Sequence, residues 1–244
     1  MIDFLNFPSF FPPLYYWLSI SPIGILAGGL AGWFSGYAKE TWNLPVGYTR
    51  KIFHFIIFTL AGIIGLTVGF PGVQVFGASI GFVVGYAVLK GHESRFYRAI
   101  ARPSDAPYER FYIIVPFCMT ALGGMISNIC FGHYAIVGYI TTGWGDAVAE
   151  PVGTRWGRHK YQVSTLTGIK ATRSLEGSLA VLLASFFGCV LLFGMGFDVT
   201  FVTMISVSLL IAVIAMIVEA ATFHSMDNLT IQVATSGVCF WILG

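Results

Sequence analysis

Long stretches without a single formal charge dominate this sequence and restrict what it can fold into. Residues 52–70, 73–89, 177–197 and 200–218 contain no Asp, Glu, Lys or Arg. About 20 consecutive apolar residues, wound into an α-helix, cross the hydrocarbon core of a bilayer. Only 10% of all residues are charged, whereas about 25% are charged in a typical soluble domain. The sequence therefore predicts an integral membrane protein that crosses the bilayer several times.

Eight segments have the composition of membrane helices, and they predict an all-α, polytopic helix bundle with seven to nine crossings. Their expected bounds are 14–37, 52–70, 73–89, 111–127, 129–143, 177–197, 200–222 and 229–244. The fifth is short and rich in Gly, which indicates a tilted, broken or partly inserted helix. Because no internal repeat or soluble appendage interrupts this pattern, residues 1–244 are predicted to form one transmembrane domain.

The positions of the basic residues predict how the bundle is oriented. All 13 Lys and Arg residues fall into three segments, 39–51, 90–110 and 155–173, and with eight helices these segments lie on one side of the membrane. Basic loops usually face the cytoplasm. We therefore predict that the N-terminus lies outside and that the cytoplasmic loops are 38–51, 90–110, 144–176 and 222–228. The net charge of +2 gives no reason to expect a nucleic-acid partner.

The hydrophilic stretch "TTGWGDAVAEPVGTRWGRHKYQ", residues 141–162, stands between apolar segments. In a helix, Asp146 and Glu150 would project from one face, and two such carboxylates suit Mg²⁺, which completes its shell with water and phosphate. Pro151 predicts a bend after Glu150. The basic residues that follow, up to Lys160, offer counter-charge for phosphates, although contact with anionic lipid headgroups would also explain them.

Two further polar groups stand at the starts of membrane helices on the same side. Arg50 and His54 share a helix face at the entrance to the second helix, where anchoring cations and an interfacial His are the alternative explanation. Arg173 and Glu176 precede the sixth helix, where a local ion pair of small value is the alternative. Both groups lie at the membrane level at which we expect Asp146.

A third group surrounds the predicted turn between the last two helices. Glu219 lies near the inner end of the seventh helix, and Asp227 and Asn228 follow in the turn. An ionisable group within a membrane segment is costly and usually functional, so Glu219 is a candidate site residue. Other charges on this side are expected to be solvated in loops, namely His92, Glu93, Asp105 and Glu109.

These motifs occur in an order that resembles the polyprenol kinase family of integral membrane proteins. The matching pieces are "RKIFH" (50–54), "GDAVAEPVG" (145–153), "RSLEG" (173–177) and "E…MDNLT" (219–230). The family includes dolichol kinase, phytol and farnesol kinases and the yeast-type CTP-dependent diacylglycerol kinase, and is distantly related to the CDP-diacylglycerol synthases. Arg173 stands where the family usually has Lys, and Glu150 where it usually has Asp.

The resemblance implies transfer of the γ-phosphoryl group of CTP, or ATP, to the hydroxyl of a lipid alcohol, most closely a prenol such as phytol, farnesol or polyprenol. The catalytic group it implies is Asp146, Glu150, His54 and Glu219, with either His54 or Glu219 as the base. The implied Mg²⁺ ligands are Asp146, Glu150 and Asp227. The implied nucleotide- and phosphate-binding residues are Arg50, Lys51, Gly145, Gly153, Lys160, Arg173, Glu176 and Asn228.

Three other interpretations stay open at this point. A CDP-lipid synthase of the phosphatidate cytidylyltransferase type would join CTP to a lipid phosphate, but the usual C-terminal signature of those enzymes is missing. A small membrane transporter would carry polar groups deep in several helices, whereas here nearly all of them lie at one interface. A catalytically inactive family member could act as a binding subunit.

Overall fold

The computed structural model describes residues 11–168 and 171–244, which form a helix bundle with one small β-hairpin. The helices are α1 (Leu14–Thr41), α2 (Val46–Thr67), α3 (Phe70–Lys90), α4 (Arg95–Ile100), α5 (Phe111–Phe131), α6 (Ala135–Ile140), α7 (Asp146–Trp156), α8 (Leu175–Gly196), α9 (Phe201–Ala221) and α10 (Asp227–Leu243). Strands β1 (Lys160–Val163) and β2 (Ala171–Ser174) pair antiparallel.

Within the described residues, eight helical segments cross the bundle, as the sequence predicts. Six segments of the described chain are long and apolar enough to span a membrane, and the longest of them covers Phe111–Trp156. That segment reverses at Gly132–Tyr134, since Asn128, before this turn, donates a hydrogen bond to the hydroxyl of Tyr139, after it. Eleven residues of continuous helix would separate these two residues by about 16 Å. The two halves of this segment and α10 bring the number to eight.

The structure differs from the sequence prediction between residues 144 and 176, where a loop was expected. A π-helical turn, Thr141–Gly145, joins α6 to α7, and α7 continues through Pro151 instead of bending there. The hydroxyl of Tyr48 donates a hydrogen bond to the Pro151 carbonyl over 3.2 Å, which ties this turn of α7 to α2. The hairpin then occupies much of the remaining segment. Asp146 and Glu150 thus lie on a helix, where their spacing of four places them one turn apart.

Glycines at every fourth position let α1 pack closely against α3 and α4. A Cβ atom added at Gly28 would lie 2.8 Å from Ile80 Cδ1, and one added at Gly36 would lie 3.1 Å from Arg95 Cβ. Small residues at this spacing allow close backbone approach between membrane helices. On the outer surface of the bundle, large apolar side chains such as Leu18 are exposed, as expected for contact with lipid.

The basic segments of the described chain meet at one end of the bundle, which we call the charged end. Arg98 of α4 pairs with Glu40 of α1, and Thr49 in α2 donates a 2.6 Å hydrogen bond to the Ala99 carbonyl. The turn between α9 and α10 is tied to the hairpin, since His224 N donates to the Ser164 carbonyl over 2.9 Å. Connections that are distant in sequence therefore enclose a common space.

Candidate active site

A cavity of about 380 Å³ lies at the charged end, and we call it the polar cavity. Sites for small molecules usually measure about 300 to 1,000 Å³. Among the described residues, its basic lining consists of Arg50, Lys51, Arg102, Lys160 and Arg173, and its acidic lining of Asp105, Asp146, Glu150, Glu219 and Asp227. The formal charges of these ten side chains cancel.

A buried ion pair joins α2 to the first residue of α7. Lys51 Nζ lies 2.6 Å from Asp146 Oδ2, and the two side chains are only 9% and 10% exposed. His54, one turn further along α2, places Nε2 3.5 Å from the same oxygen and 3.3 Å from the Thr142 carbonyl. A buried charge is costly unless it is paired with good geometry. The orientation of Asp146 is therefore fixed by both side chains of α2.

A second ion pair brings the segment between α4 and α5 over the cavity. Arg102 Nη2 lies 2.6 Å from Glu150 Oε2, one turn along α7 from Asp146. Asp105 follows in the same segment and is only 6% exposed, so the expectation of a solvated loop charge was wrong. Burial raises the pKa of Asp105 despite the nearby guanidiniums of Arg102 and Arg50. Its Oδ2 atom is buried without a hydrogen-bond partner in the described part of the chain.

Arg173, at the end of the hairpin, binds both carboxylates of the α9–α10 region. Its Nε atom lies 2.9 Å from Glu219 Oε1, and its Nη2 atom lies 2.9 Å from Asp227 Oδ2. Nη1 donates to the backbone carbonyls of Glu219 and Thr222. The other oxygen of Glu219 accepts from Ser178, and Asp227 Oδ1 accepts from the backbone N–H of Asn228. Arg173 therefore closes the turn with nearly all of its donors in use.

Arg50 differs from Arg102 and Arg173, the other arginines of the polar cavity, because within the described chain it forms no ion pair with a carboxylate. Its Nη1 atom is buried and has no hydrogen-bond partner among residues 11–168 and 171–244. Leaving a buried charged donor unpaired costs more than the roughly 1–3 kcal/mol of a neutral group. An anion in the polar cavity would remove this cost, and Arg50 lies in the cavity wall.

The structure brings most, but not all, of the sequence-predicted site residues to the polar cavity. Those that line it are Arg50, Lys51, His54, Asp146, Glu150, Gly153, Lys160, Arg173, Glu219, Asp227 and Asn228. Gly145 lies behind them, where an added Cβ atom would be 2.6 Å from Ser185 Oγ, so this glycine lets α8 pack closely. Glu176 turns away and bonds His159 Nδ1 at 2.8 Å. The alternative of a local Arg173–Glu176 ion pair is therefore also wrong.

A second cavity, of about 730 Å³, lies between α2, α3 and α5, and we call it the apolar cavity. Its wall is mostly Phe, Ile, Val, Ala and Gly. The two cavities share four wall residues, Arg50, His54, Pro116 and Asn228. A polar space for charged groups and an apolar space within the bundle therefore adjoin each other.

The chain is 30% identical to the phytol kinase of Synechocystis sp., over an alignment of 233 residues that covers 89% of this chain and 94% of that protein. The chain belongs to the polyprenol kinase family. The family resemblance expected from the four motifs is thus confirmed, and the membrane helices of this family member agree with a multi-pass lipid kinase. No family model and no solved structure matches the chain.

The sequence did not point to three of the side chains in the polar cavity of this polyprenol kinase family member, namely Arg102, Asp105 and His224. His224 Nε2 lies 3.4 Å from Arg102 Nη1. Burial, together with the positive charge of Arg102, lowers the pKa of His224 to about 3, so that its ring is neutral near pH 7. All three residues lie in the connections between α-helices, and Asp105 ends a short 3-10 helix there, so the α-helical spacing does not predict the directions of their side chains. The only property in the sequence that could have identified these three residues as site candidates was their position on the predicted cytoplasmic side.

The carboxylates of the polar cavity suit a Mg²⁺ ion that is shared with a nucleotide. Within the described residues, no group of three or more His, Cys, Asp or Glu side chains is arranged to hold a metal ion by itself. Mg²⁺, however, usually binds one or two carboxylates together with water and substrate phosphates. Asp146 and Glu150 lie one turn apart, and Asp105 Oδ2 has no hydrogen-bond partner in the part of the chain that the structure describes. Asp227 fits less well, because Arg173 and a backbone N–H engage both of its oxygens.

Proposed function

We propose that this protein transfers the γ-phosphoryl group of CTP or ATP to the hydroxyl of a prenol such as phytol, farnesol or a polyprenol, at the cytoplasmic face of its membrane. The observation that carries the proposal is the shared wall between the polar and apolar cavities. A triphosphate needs a charged site, and a lipid alcohol needs an apolar one that ends beside it. The phytol kinase relative supports the same activity.

The ion pairs of the polar cavity provide both signs of charge for a metal-bound triphosphate. Phosphoryl transfer depends mainly on positioning and on neutralising negative charge. Lys51 and Arg102 are held by Asp146 and Glu150 at 2.6 Å each. With a metal-bound nucleotide in the polar cavity, these two cations would face the phosphate oxygens, and the two carboxylates would be the groups that hold Mg²⁺. Arg50 could bind a phosphate without first breaking a hydrogen bond of Nη1, because this atom has no partner in the described chain.

Mg²⁺ held by Asp146 and Glu150, with Asp105 as a further ligand, would neutralise charge on the phosphates. Lys160 lies on the hairpin at the edge of the same cavity and adds a cation for the nucleotide. Arg173 acts differently from the role implied by the family motif, since its contacts fix the positions of Glu219 and Asp227. We assign it to holding the site together.

His54 suits the role of general base better than Glu219 does. It lines both cavities, whereas Glu219 lines the polar one and has both oxygens engaged, by Arg173 and Ser178. In the proposed reaction, His54 accepts the proton of the alcohol and the alcohol oxygen bonds to the γ-phosphorus. The bond from that phosphorus to the β,γ-bridging oxygen breaks, and the nucleoside diphosphate leaves with the electron pair.

Labelled nucleotides test the proposed reaction directly. Purified protein in lipid nanodiscs is incubated with phytol, farnesol, a long polyprenol or diacylglycerol, and with CTP or ATP labelled at the α or the γ position. A kinase labels the lipid from the γ position only. Labelling from the α position would instead show a cytidylyltransferase and overturn the proposal.

Asp146→Asn connects the reaction to the polar cavity. The change keeps the size of the side chain but removes the charge beside Lys51, and we expect lipid labelling to fall by about 10²- to 10³-fold. Asp198→Asn is the matched control, because Asp198 is an exposed carboxylate between α8 and α9 and does not line the cavity. A normal rate in Asp146→Asn would remove Asp146 from the site.

A further inference from the structure

The apolar cavity has a definite polar end. Arg50, His54 and Asn228 stand where it adjoins the polar cavity, and Phe70 and Val73 line its far end. Along the wall between them, the side chains of α2, α3 and α5 are predominantly apolar. A ligand that fits this space has one polar end and one long apolar part.

The length of the apolar cavity can be measured along α3, which lines it. α3 lines it from Val84 to Phe70, and 14 residues of helix span about 21 Å. An extended carbon chain advances about 1.25 Å per bond, because each bond is about 1.5 Å long and the angle about 111°. The cavity therefore accommodates about 17 bonds. Since each isoprene unit contributes four carbons to the main chain, this length corresponds to about four isoprene units.

The volume of the cavity leads to the same ligand size. A water molecule occupies about 30 Å³ in the liquid, and a methylene group is of similar size. A cavity of about 730 Å³ thus has space for roughly 20 to 25 such groups. A prenol of four isoprene units has 20 carbons, whereas a long polyprenol and a diacylglycerol with two long acyl chains both exceed the space.

We propose that the apolar cavity binds the tail of the acceptor alcohol, extended along α3, and that a single isoprenoid chain of about four units fills it. This inference rests on the proposed lipid kinase function and specifies its substrate. The hydroxyl of the bound alcohol lies at the shared wall, beside His54 and Arg50. A longer prenol leaves the surplus of its tail outside the cavity.

Gly77 provides a way to shorten the cavity without disturbing the protein. It lies in the cavity wall on α3, and an added Cβ atom would meet nothing within 4 Å. Seven residues separate it from Val84, or about 10 Å of helix, which is the length of about two isoprene units. In Gly77→Leu, a tail of two units still fits, and a tail of four units meets the new side chain.

Gly85→Leu is the matched control. Gly85 lies on the same helix, is exposed, and likewise has no atom within 4 Å of an added Cβ, but it does not line the cavity. Both variants add the same side chain to α3 and have the same effect on helix propensity.

The experiment measures kcat/KM for prenols of two, three and four isoprene units and for a long polyprenol, in the unmodified protein and in both variants. A single extra or missing methylene group in an apolar pocket changes kcat/KM by about 10- to 200-fold. We expect Gly77→Leu to lower kcat/KM for the four-unit prenol by at least about tenfold and to leave the two-unit prenol unchanged. Gly85→Leu should match the unmodified protein. Equal values for all chain lengths in Gly77→Leu would overturn the inference.

A binding measurement separates this inference from the proposed function. A four-unit prenol with a photoreactive diazirine on its tail is cross-linked to the unmodified protein and both variants, and the labelled peptides are identified by mass spectrometry. We expect labelling of α3 and α5 that decreases in Gly77→Leu but not in Gly85→Leu. Labelling that Gly77→Leu does not change would place the tail in the bilayer, even if the protein phosphorylates prenols. Cavity labelling without any γ-phosphoryl transfer would contradict the kinase function alone.

Discussion

The polar and apolar cavities share a wall, but different forces organise them. In the polar cavity, Lys51–Asp146 and Arg102–Glu150 pairs at 2.6 Å fix the side chains. The apolar cavity is shaped by close packing of α2, α3 and α5. Gln232 Oε1, an amide oxygen without a hydrogen-bond partner among the described residues, lies in its wall. A change in the first cavity should therefore affect every substrate, whereas a change in the second should affect substrates according to their shape.

Two arginines of the polar cavity differ in whether their guanidinium groups already have protein partners. Arg173 makes ion pairs with Glu219 and Asp227 and bonds two backbone carbonyls. Arg50 lines the same cavity, yet its Nη1 atom is without a partner within the described residues. The first residue holds the site together, and the second is available for a ligand. Substitution of each should separate stability from activity.

We expect the largest effect from Arg173→Met. The change leaves Glu219 and Asp227 buried without their counter-charge, and breaking a buried ion pair from one side costs about 3–5 kcal/mol. The melting temperature of the purified protein in detergent should fall steeply, and Arg173→Lys should recover part of the loss. Arg95→Met is the control, because Arg95 pairs with Glu40 at 3.1 Å while 62% exposed, and surface pairs contribute about 0–1 kcal/mol. An unchanged melting temperature in Arg173→Met would show that its ion pairs do not hold the site.

Arg50→Gln should lower activity more than stability, in contrast to Arg173→Met. Arg50 forms no ion pair within the described residues, so its replacement breaks none, and the melting temperature should change much less than in Arg173→Met. Loss of a donor that stabilises phosphate charge should lower lipid phosphorylation by about 10²-fold or more. Arg50→Lys should restore it only in part, because an ammonium cannot reproduce the planar fork of the guanidinium. The control is Arg155→Gln, an exposed residue on α7 beside Trp156. If Arg50→Gln were fully active, Arg50 would not contact the phosphates.

The number of membrane helices could be predicted from the sequence, because apolar length decides whether a segment can cross a bilayer. The boundaries could not. α2 begins at Val46 instead of 52, and α7 continues through Pro151 to Trp156. Hydropathy marks the part of a helix that meets lipid, but α7 packs against α2 and α8, and this packing, rather than composition, extends it. The sequence also did not predict the close approach of α1 to α3 and α4 at Gly28 and Gly36.

The helical members of the candidate site could be predicted better than the members in connections. Asp146 and Glu150 were found because a spacing of four fixes their common face. Asp105 was expected in solvent, since nothing in an irregular segment indicates that it folds over a cavity, yet its side chain is buried. The partners of each charge were not predictable either. Arg173 bonds Glu219, 46 residues away, instead of Glu176, because the pairing depends on how the hairpin lies against α9.

Gln232→Leu should have the smallest effect and tests the boundary between the two cavities. Gln232 is fully buried on α10, one turn beyond Asn228, and its amide donates to the Thr120 carbonyl over 3.2 Å and to the Asn228 carbonyl. Both acceptors belong to helices whose backbone bonds remain. Side-chain hydrogen bonds within membrane proteins contribute about 0.6 kcal/mol on average. Leu also removes an oxygen that has no partner in the described part of the chain.

The two contributions of Gln232→Leu oppose each other, so the free energy of unfolding should change by less than about 1 kcal/mol. Phosphorylation of a four-unit prenol should also stay within about twofold, since the variant wall is apolar and of similar volume. The measurements are denaturation in mixed micelles and the γ-label assay, with Arg50→Gln assayed in parallel. A loss of activity as large as that of Arg50→Gln would show that Gln232 Oε1 contacts the alcohol. The polar site would then extend one turn of α10 deeper, and the tail cavity would begin beyond it.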